Sequence, residues 1–152
     1  MIELTMDLNQ SIMEQLTEEQ KIVFLKALLV STALDGNVHP NEQKQIKKAA
    51  QECQIKNIKK IFEHATEADL MEEIDCLQSR KVALELAKAL FYMGHIDHRL
   101  GDEEVAFICK ICVALGLEID KVEKIGRWIV DYLLWQEEGK IIFGEYEKDE
   151  NE

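Results

Sequence analysis

Two stretches of the chain are hydrophobic at nearly every position, and the rest follows the spacing of amphipathic helices. Residues 22–34 hold three polar side chains in thirteen positions, and residues 82–96 hold three charged or titratable ones in fifteen. A helix that is apolar all round belongs at the centre of a protein, because no side of it is suited to water. The pattern therefore predicts two central helices, one in each half of the chain.

Each central helix is followed by a turn with an aspartate and by a further helix with a glutamate seven residues after it. The first copy has Asp35 and Glu42, and the second has Asp97 and Glu104. At the 62-residue offset between the aspartates, residues 26–55 match residues 88–117 at seven positions, where chance gives about two. We infer a duplicated helix-turn-helix unit at about residues 18–55 and 80–117.

Capping residues and glycines indicate where other helices begin and end. Thr17-Glu-Glu-Gln20 fits a capping box and starts the first long helix near Glu18, and Pro40 suits the first position of the next. Further helices are predicted within residues 1–16, over 58–65 with Asn57 as N-cap, over 67–77 with Thr66 as N-cap, and over 120–138 with Gly139 as the end. The last has a predicted apolar face of Val122, Ile125, Trp128, Ile129 and Leu133, after which residues 141–143 could fold back on the body.

Composition agrees with a helical class. One proline and seven glycines in 152 residues argue against a sheet with many turns, and 47% hydrophobic residues are enough for one core. We predict an all-α, compact helical bundle of about seven to eight helices with an internal pseudo-twofold repeat, in a single domain over residues 1–144. Residues 145–152, with five acids and one lysine, are predicted to form an acidic C-terminal tail.

Charge and hydropathy exclude several classes of function. The net charge is −12 and the lysines are scattered among acids, which argues against nucleic acid as a partner. The longest apolar window, thirteen residues, is shorter than the roughly 20 that cross a bilayer. No pattern of a secretion signal opens the chain, so we expect a cytoplasmic protein whose four cysteines are reduced thiols.

The acids and histidines of the two turns are the candidate ligands of a divalent metal. They are Asp35, Glu42, Asp97, Glu104, His95 and His98. If the turns meet across the pseudo-twofold, carboxylate and imidazole groups share one pole, where two helix N-termini offset negative charge. Only the second half of a calcium-loop consensus is matched. The alternative is structural: the aspartates close turns, the glutamates bond back from the third helical position, and His95 is a hydrogen-bonded structural residue.

The cysteines favour packing over chemistry. Cys109-Lys-Ile-Cys112 has the spacing of half a zinc site, but no second pair follows at a useful distance. Cys53 and Cys76 match apolar helical positions, and no partner for a nucleophile can be argued. No phosphate-binding loop or dinucleotide fingerprint occurs.

The repeated turn resembles a known family. An Ala-Leu-Leu helix followed by Asp-Gly-x-Val-x-x-x-Glu, found twice over about residues 18–117, is similar to the TerB-like domain of tellurite-resistance proteins, which also resembles a domain of some DnaJ-like co-chaperones. The resemblance implies a bacterial all-helical domain of about seven helices, linked to stress resistance and suspected of binding metal through Asp35, Glu42, Asp97 and Glu104. The second copy departs from the pattern, with His98 in place of Gly and Gly101 where a capping hydroxyl is usual.

The leading hypothesis is a non-catalytic cytoplasmic TerB-like module that acts in tellurite or stress response through protein contacts, with divalent-metal binding at the acidic pole as a further role. One alternative is a small metal-dependent hydrolase using His95, Asp97 and His98. Another is a structural or regulatory homodimer formed through the aromatic residues Trp128, Tyr132 and Trp135.

Overall fold

The computed structural model describes residues 8–34, 40–96 and 100–144, and these residues are helical with short connections. The α-helices are α1 Gln10–Glu14, α2 Glu18–Thr32, α3 Pro40–Glu52, α4 Lys59–Phe62, α5 Glu67–Glu73, α6 Arg80–Ile96, α7 Asp102–Ala114 and α8 Ile119–Ile142; a 3-10 turn, Ile74–Leu77, follows α5. These ranges contain eight α-helices and no strand. The predicted all-α class is confirmed.

Helix α2 is the central element, as its sequence predicted. Every residue from 22 to 32 is buried, including the polar side chains of Lys26, Ser31 and Thr32. The helix packs against α3, α4, α5, α6 and α7, so each of its sides has a neighbour. An apolar helix of this kind is stable only when surrounded, and the shorter helices supply that surround.

Local capping residues determine several helix ends. The Gln20 amide donates to Thr17 Oγ1 at 3.2 Å and the Thr17 amide donates to Gln20 Oε1 at 2.9 Å, which is the predicted capping box. Pro40 is the first residue of α3, and Thr66 caps α5 by accepting from the Asp69 amide. These three predictions are confirmed.

The short helix predicted over residues 58–65 exists, but it is shorter than expected and Asn57 does not cap it. Helix α4 is one turn of four residues, its N-cap is Ile58, and no side-chain cap bond forms. Asn57 precedes the cap position by one residue and contributes its backbone carbonyl, which accepts from the Lys60 amide at 3.3 Å.

Helices α6 and α8 run in the same direction. At their starts, the Arg80 guanidinium donates to the Glu118 carboxylate at 2.9 and 3.2 Å. Further along, Gly126 of α8 lies against the ring of Phe91 in α6. Five residues of α6 follow Phe91, whereas sixteen of α8 follow Gly126. At about 1.5 Å per residue, α8 therefore projects about 16 Å beyond the end of α6.

Three predictions about α8 are wrong. The helix passes through Gly139 and ends at Ile142. Gly139 keeps a helical conformation with open space around its Cα, so it does not end the helix. Trp128 is 58% exposed and does not lie on the core-facing side. Residues 141–143 do not fold back: their side chains are 59–81% exposed.

The two helix pairs of the predicted repeat, α2 with α3 and α6 with α7, both exist and pack together. A twofold relation between them and a single domain over residues 1–144 stay predictions. The turns themselves, residues 35–39 and 97–99, lie outside the described residues, as do residues 1–7 and the tail 145–152. In the ranges that the structure describes, no helix is both long enough and apolar enough to cross a bilayer.

Candidate functional site

The predicted acidic pole is represented by the glutamates at the starts of α3 and α7. Glu42 and Glu104 both stand at the third helical position, as expected. Glu42 is 1% exposed, which is rare for a carboxylate unless neighbouring groups stabilise its charge. At the first turn of a helix the free backbone amides and the macrodipole provide part of that stabilisation.

Glu104 lies beside the C-terminal end of α6. A Cβ placed on Gly94 would stand 3.4 Å from Glu104 Oε2 and would overlap the end of the Leu100 side chain. The glycine thus leaves room for Leu100 and the carboxylate to approach α6. His95, the next residue, is half-buried. The structure therefore brings Glu104 next to the segment that carries His95.

The other predicted ligands, Asp35, Asp97 and His98, lie outside the described residues. Among the residues that the structure does describe, no three His, Cys, Asp or Glu side chains are grouped so that they could hold a metal ion. Metal binding at the pole therefore stays a prediction.

The cysteines lack the environment of a nucleophile. Cys112 is fully buried, and this burial raises the pKa of its thiol to about 12, with a smaller contribution from Cys109. Desolvation also raises the pKa of Cys53 and, together with the charge of Glu73, that of the more exposed Cys76. A raised pKa disfavours the thiolate, which is the reactive form of cysteine. The predicted packing role is confirmed for Cys112 and Cys53, whereas Cys76 is exposed on the 3-10 turn and was wrongly placed among apolar positions.

A buried ion pair that the sequence did not indicate lies beside a surface cavity of about 560 Å³. Lys26 Nζ of α2 is 3.3 Å from Glu73 Oε2 of α5, and the lysine side chain is only 6% exposed. The cavity is also lined by Lys60, Glu63 and His64. Side chains of both charges line the cavity, so it has no preference for anions or cations. The ion pair links α2 to α5, since Lys26 and Glu73 are 47 positions apart in the sequence.

The projecting end of α8 carries the largest exposed hydrophobic side chains of the described residues. Trp135 is 70% exposed, Leu134 62%, and Ile141 81%. The only α8 residues counted in the buried core are Val122 and Ile129, both in its first half. We call the exposed set the α8 ridge, and it consists of Trp128, Tyr132, Leu134, Trp135, Ile141, Ile142 and Phe143.

One line of ridge residues is ordered by contacts along the helix. The Trp128 and Tyr132 rings are stacked, with centroids 6.1 Å apart and planes at 15°. The Tyr132 hydroxyl accepts from Gln136 Nε2 at 2.8 Å. These contacts order aromatic rings on an exposed face of α8, so the surface is preorganised for a partner.

Charge is divided unevenly along α8. Its first part, residues 119–127, has three basic and two acidic side chains, whereas residues 128–144 have three acidic and one basic. The sequence that follows, residues 145–152, adds five acids and one lysine. The helix therefore has a weakly basic beginning and an acidic end.

Comparisons with protein-family models, curated proteins and solved structures find no match to this chain. The TerB-like resemblance thus rests on the repeated turn residues. The sequence indicates Trp128, Tyr132 and Trp135 as an aromatic face, but the exposure of Leu134 and Ile141 is not predicted. Their seven-residue spacing on the side away from Val122 and Ile129 was the available signal.

Proposed function

We propose that this protein is a non-catalytic TerB-like module that acts in a cytoplasmic stress response through protein contacts made by the α8 ridge. The observation that carries the proposal is the exposure of seven large apolar side chains on one helix, five of them more than 58% exposed. Soluble monomers rarely leave contiguous apolar patches of more than a few hundred Å² in water, and larger ones mark binding sites.

The chemistry of the described residues supports contact over catalysis. The pKa of the Cys53, Cys76 and Cys112 thiols is raised, which disfavours the nucleophilic thiolate. A hydrolase would need His95, Asp97 and His98 around an open metal position, and of these only His95 lies in the described ranges. The hydrolase interpretation gains no support from that residue alone.

Divalent-metal binding at the acidic pole forms a second part of the proposal. Its support is the near-complete burial of Glu42 at the first turn of α3. Glu42 and Glu104 also stand at equivalent third positions of α3 and α7, as the predicted pole requires.

Site-specific photocrosslinking tests the contact proposal. A photoreactive phenylalanine replaces Trp135 on the ridge, and in a matched control it replaces Val113, which is 48% exposed on α7. We expect covalent protein adducts in cells from position 135 and few from position 113. Equal adduct formation at both positions, or none at position 135, would overturn the proposed function.

A further inference from the structure

We infer that the partner of the α8 ridge is a second copy of this chain, and that the two α8 helices pair antiparallel along one line of residues. This line, which we call the seam, consists of Trp128, Tyr132, Trp135, Gly139 and Ile142. The inference names the partner for the contact surface and so rests on the proposed function.

The spacing of the seam is that of a helix that packs against another helix. Its members recur at alternating steps of four and three residues, which is the a/d spacing of a two-stranded coiled coil. In an antiparallel pair, a register that sets Tyr132 opposite Trp135 of the second copy also sets Trp128 opposite Gly139. No atom lies within 4 Å of a Cβ built on Gly139, so there is room for an indole ring above it.

The exposed area of the seam and of the neighbouring Phe143 suits a reversible dimer. Trp128, Trp135, Ile142 and the neighbouring Phe143 are each 58–70% exposed, and Tyr132 is 39% exposed. Since an aromatic side chain presents roughly 150–250 Å², these five residues place on the order of 500 Å² of apolar surface in water. Two copies would bury about 1,000 Å², near the lower limit for a specific interface. An interface of this size is typical of a weak, reversible association.

The side chains of the seam select the antiparallel arrangement and suit a copy of the same chain. A parallel pair would set Trp128 against Trp128 and Gly139 against Gly139, whereas the antiparallel register sets each indole over the open space at Gly139. The protein thus carries both halves of a complementary surface on one helix, as a twofold interface requires.

The projection of α8 gives the second copy access. About 16 Å of the helix extends beyond α6, and Trp128, near its base, is still 58% exposed. In an antiparallel pair the two helical bodies lie at opposite ends of the paired segment, so they do not compete for the same space.

Sedimentation equilibrium of the full chain from about 1 to about 200 µM tests the inference. We expect the mass to rise with concentration from 17.6 kDa toward twice that value. Trp135→Glu should remain a monomer throughout. Val113→Glu, a matched change at a 48% exposed residue of α7, should dimerise as the unchanged protein does. Both positions are exposed, so circular dichroism should show a folded protein in each case.

Cysteine crosslinking tests the direction of the pair. In a Cys76→Ser background, Trp128→Cys and Gly139→Cys chains should form a disulfide when mixed and oxidised, and neither should crosslink efficiently alone. A disulfide in Gly139→Cys alone would indicate a parallel pair and overturn the inference. A monomer at every concentration would overturn it too, and adducts of position 135 with a different protein would then leave the proposed function intact. If Val113→Glu abolished the dimer as fully as Trp135→Glu, the seam would be the wrong interface.

Discussion

Gly126 of α8 lies so close to Phe91 of α6 that a Cβ on the glycine would stand 3.0 Å from Cε1 and 3.1 Å from Cζ of the ring. Phe91 is 6% exposed, inside the core. Protein interiors are packed as densely as organic crystals, so the ring has little room to retreat. The absence of a side chain at position 126 therefore allows the two helices their close approach.

Gly126→Val should lower the free energy of unfolding by about 1–3 kcal/mol, because the added atoms must push Phe91 or separate α8 from α6. Urea denaturation followed by circular dichroism measures the change. The control is Ala106→Val, at an exposed position of α7, where only the lower helix propensity of valine acts and the expected cost is about 0.5 kcal/mol. Equal losses in both variants would show that the contact with Phe91 is unimportant.

Removing the cap of α2 should destabilise the protein, because the Gln20 amide would lose its acceptor. We expect Thr17→Ala to cost about 1 kcal/mol of unfolding free energy. Asn57→Ala is the matched control, since the side chain of Asn57 does not cap α4, and surface changes of this kind stay within about 0.5 kcal/mol. A larger effect at Asn57 than at Thr17 would contradict the assignment of the caps.

The buried pair of Lys26 and Glu73 should respond differently to the loss of each partner. Glu73→Gln leaves the lysine charge buried without its counter-ion. We expect a loss of about 1–3 kcal/mol, below the usual range for a fully buried pair, because the glutamate side chain is 38% exposed. Lys26→Met removes the buried charge and keeps much of the apolar stem, so its cost should be smaller. Chemical denaturation of the two variants gives the comparison, and the reverse order would refute this account.

The stability of the protein should decline in alkaline solution partly through Cys112. Burial raises the pKa of its thiol from 9.0 to about 12 in the folded state. Below pH 9 the thiol is protonated in both states and the full contribution is present. As the pH rises from 9 toward 12, the unfolded chain loses this proton while the folded chain keeps it, so stability falls by up to about 1.4 kcal/mol per pH unit.

Denaturation curves at several pH values between 8 and 11 would reveal this slope in the unchanged protein. Cys112→Ala should be less stable at neutral pH but should show a shallower alkaline decline. Parallel slopes in the two proteins would mean that the buried thiol does not contribute.

Metal binding at the acidic pole predicts thermal stabilisation, because a ligand that binds only the folded state raises its stability. At 100 times the dissociation constant the gain is about 2.7 kcal/mol. Melting temperatures are compared with and without millimolar calcium, magnesium, zinc or nickel. Glu42→Gln should abolish any increase, whereas Glu103→Gln, at an exposed neighbour of the pole, should retain it. No shift with any of the four cations would remove the metal part of the proposal.

The sequence predicts best the features that depend on residues close to one another in the chain. Thr17 and Gln20 carry both halves of a capping box, and Pro40 fits one helical position by its chemistry. The prediction that α8 ends at Gly139 is wrong, because a glycine ends a helix only where the chain turns. Its intrinsic cost inside a helix, about 1 kcal/mol, does not by itself stop one.

The site was harder to predict, since it depends on which elements meet. The third helical positions of Glu42 and Glu104 follow from local spacing, but the burial of Glu42 does not. The pairing of Lys26 with Glu73 joins residues 47 positions apart. The exposure of Trp135 depends on where α6 ends relative to α8, and the sequence of α8 alone does not give that end point.

Because α2 is enclosed by other helices, its backbone hydrogen bonds cannot open while the rest of the fold stays intact. Its amide hydrogens can meet solvent only when the surrounding helices have come apart, so they should exchange with deuterium at the rate of whole-molecule unfolding. The outer part of α8, where most described side chains are exposed, should exchange orders of magnitude sooner. One short chain thus combines slow-exchanging and fast-exchanging helical amides.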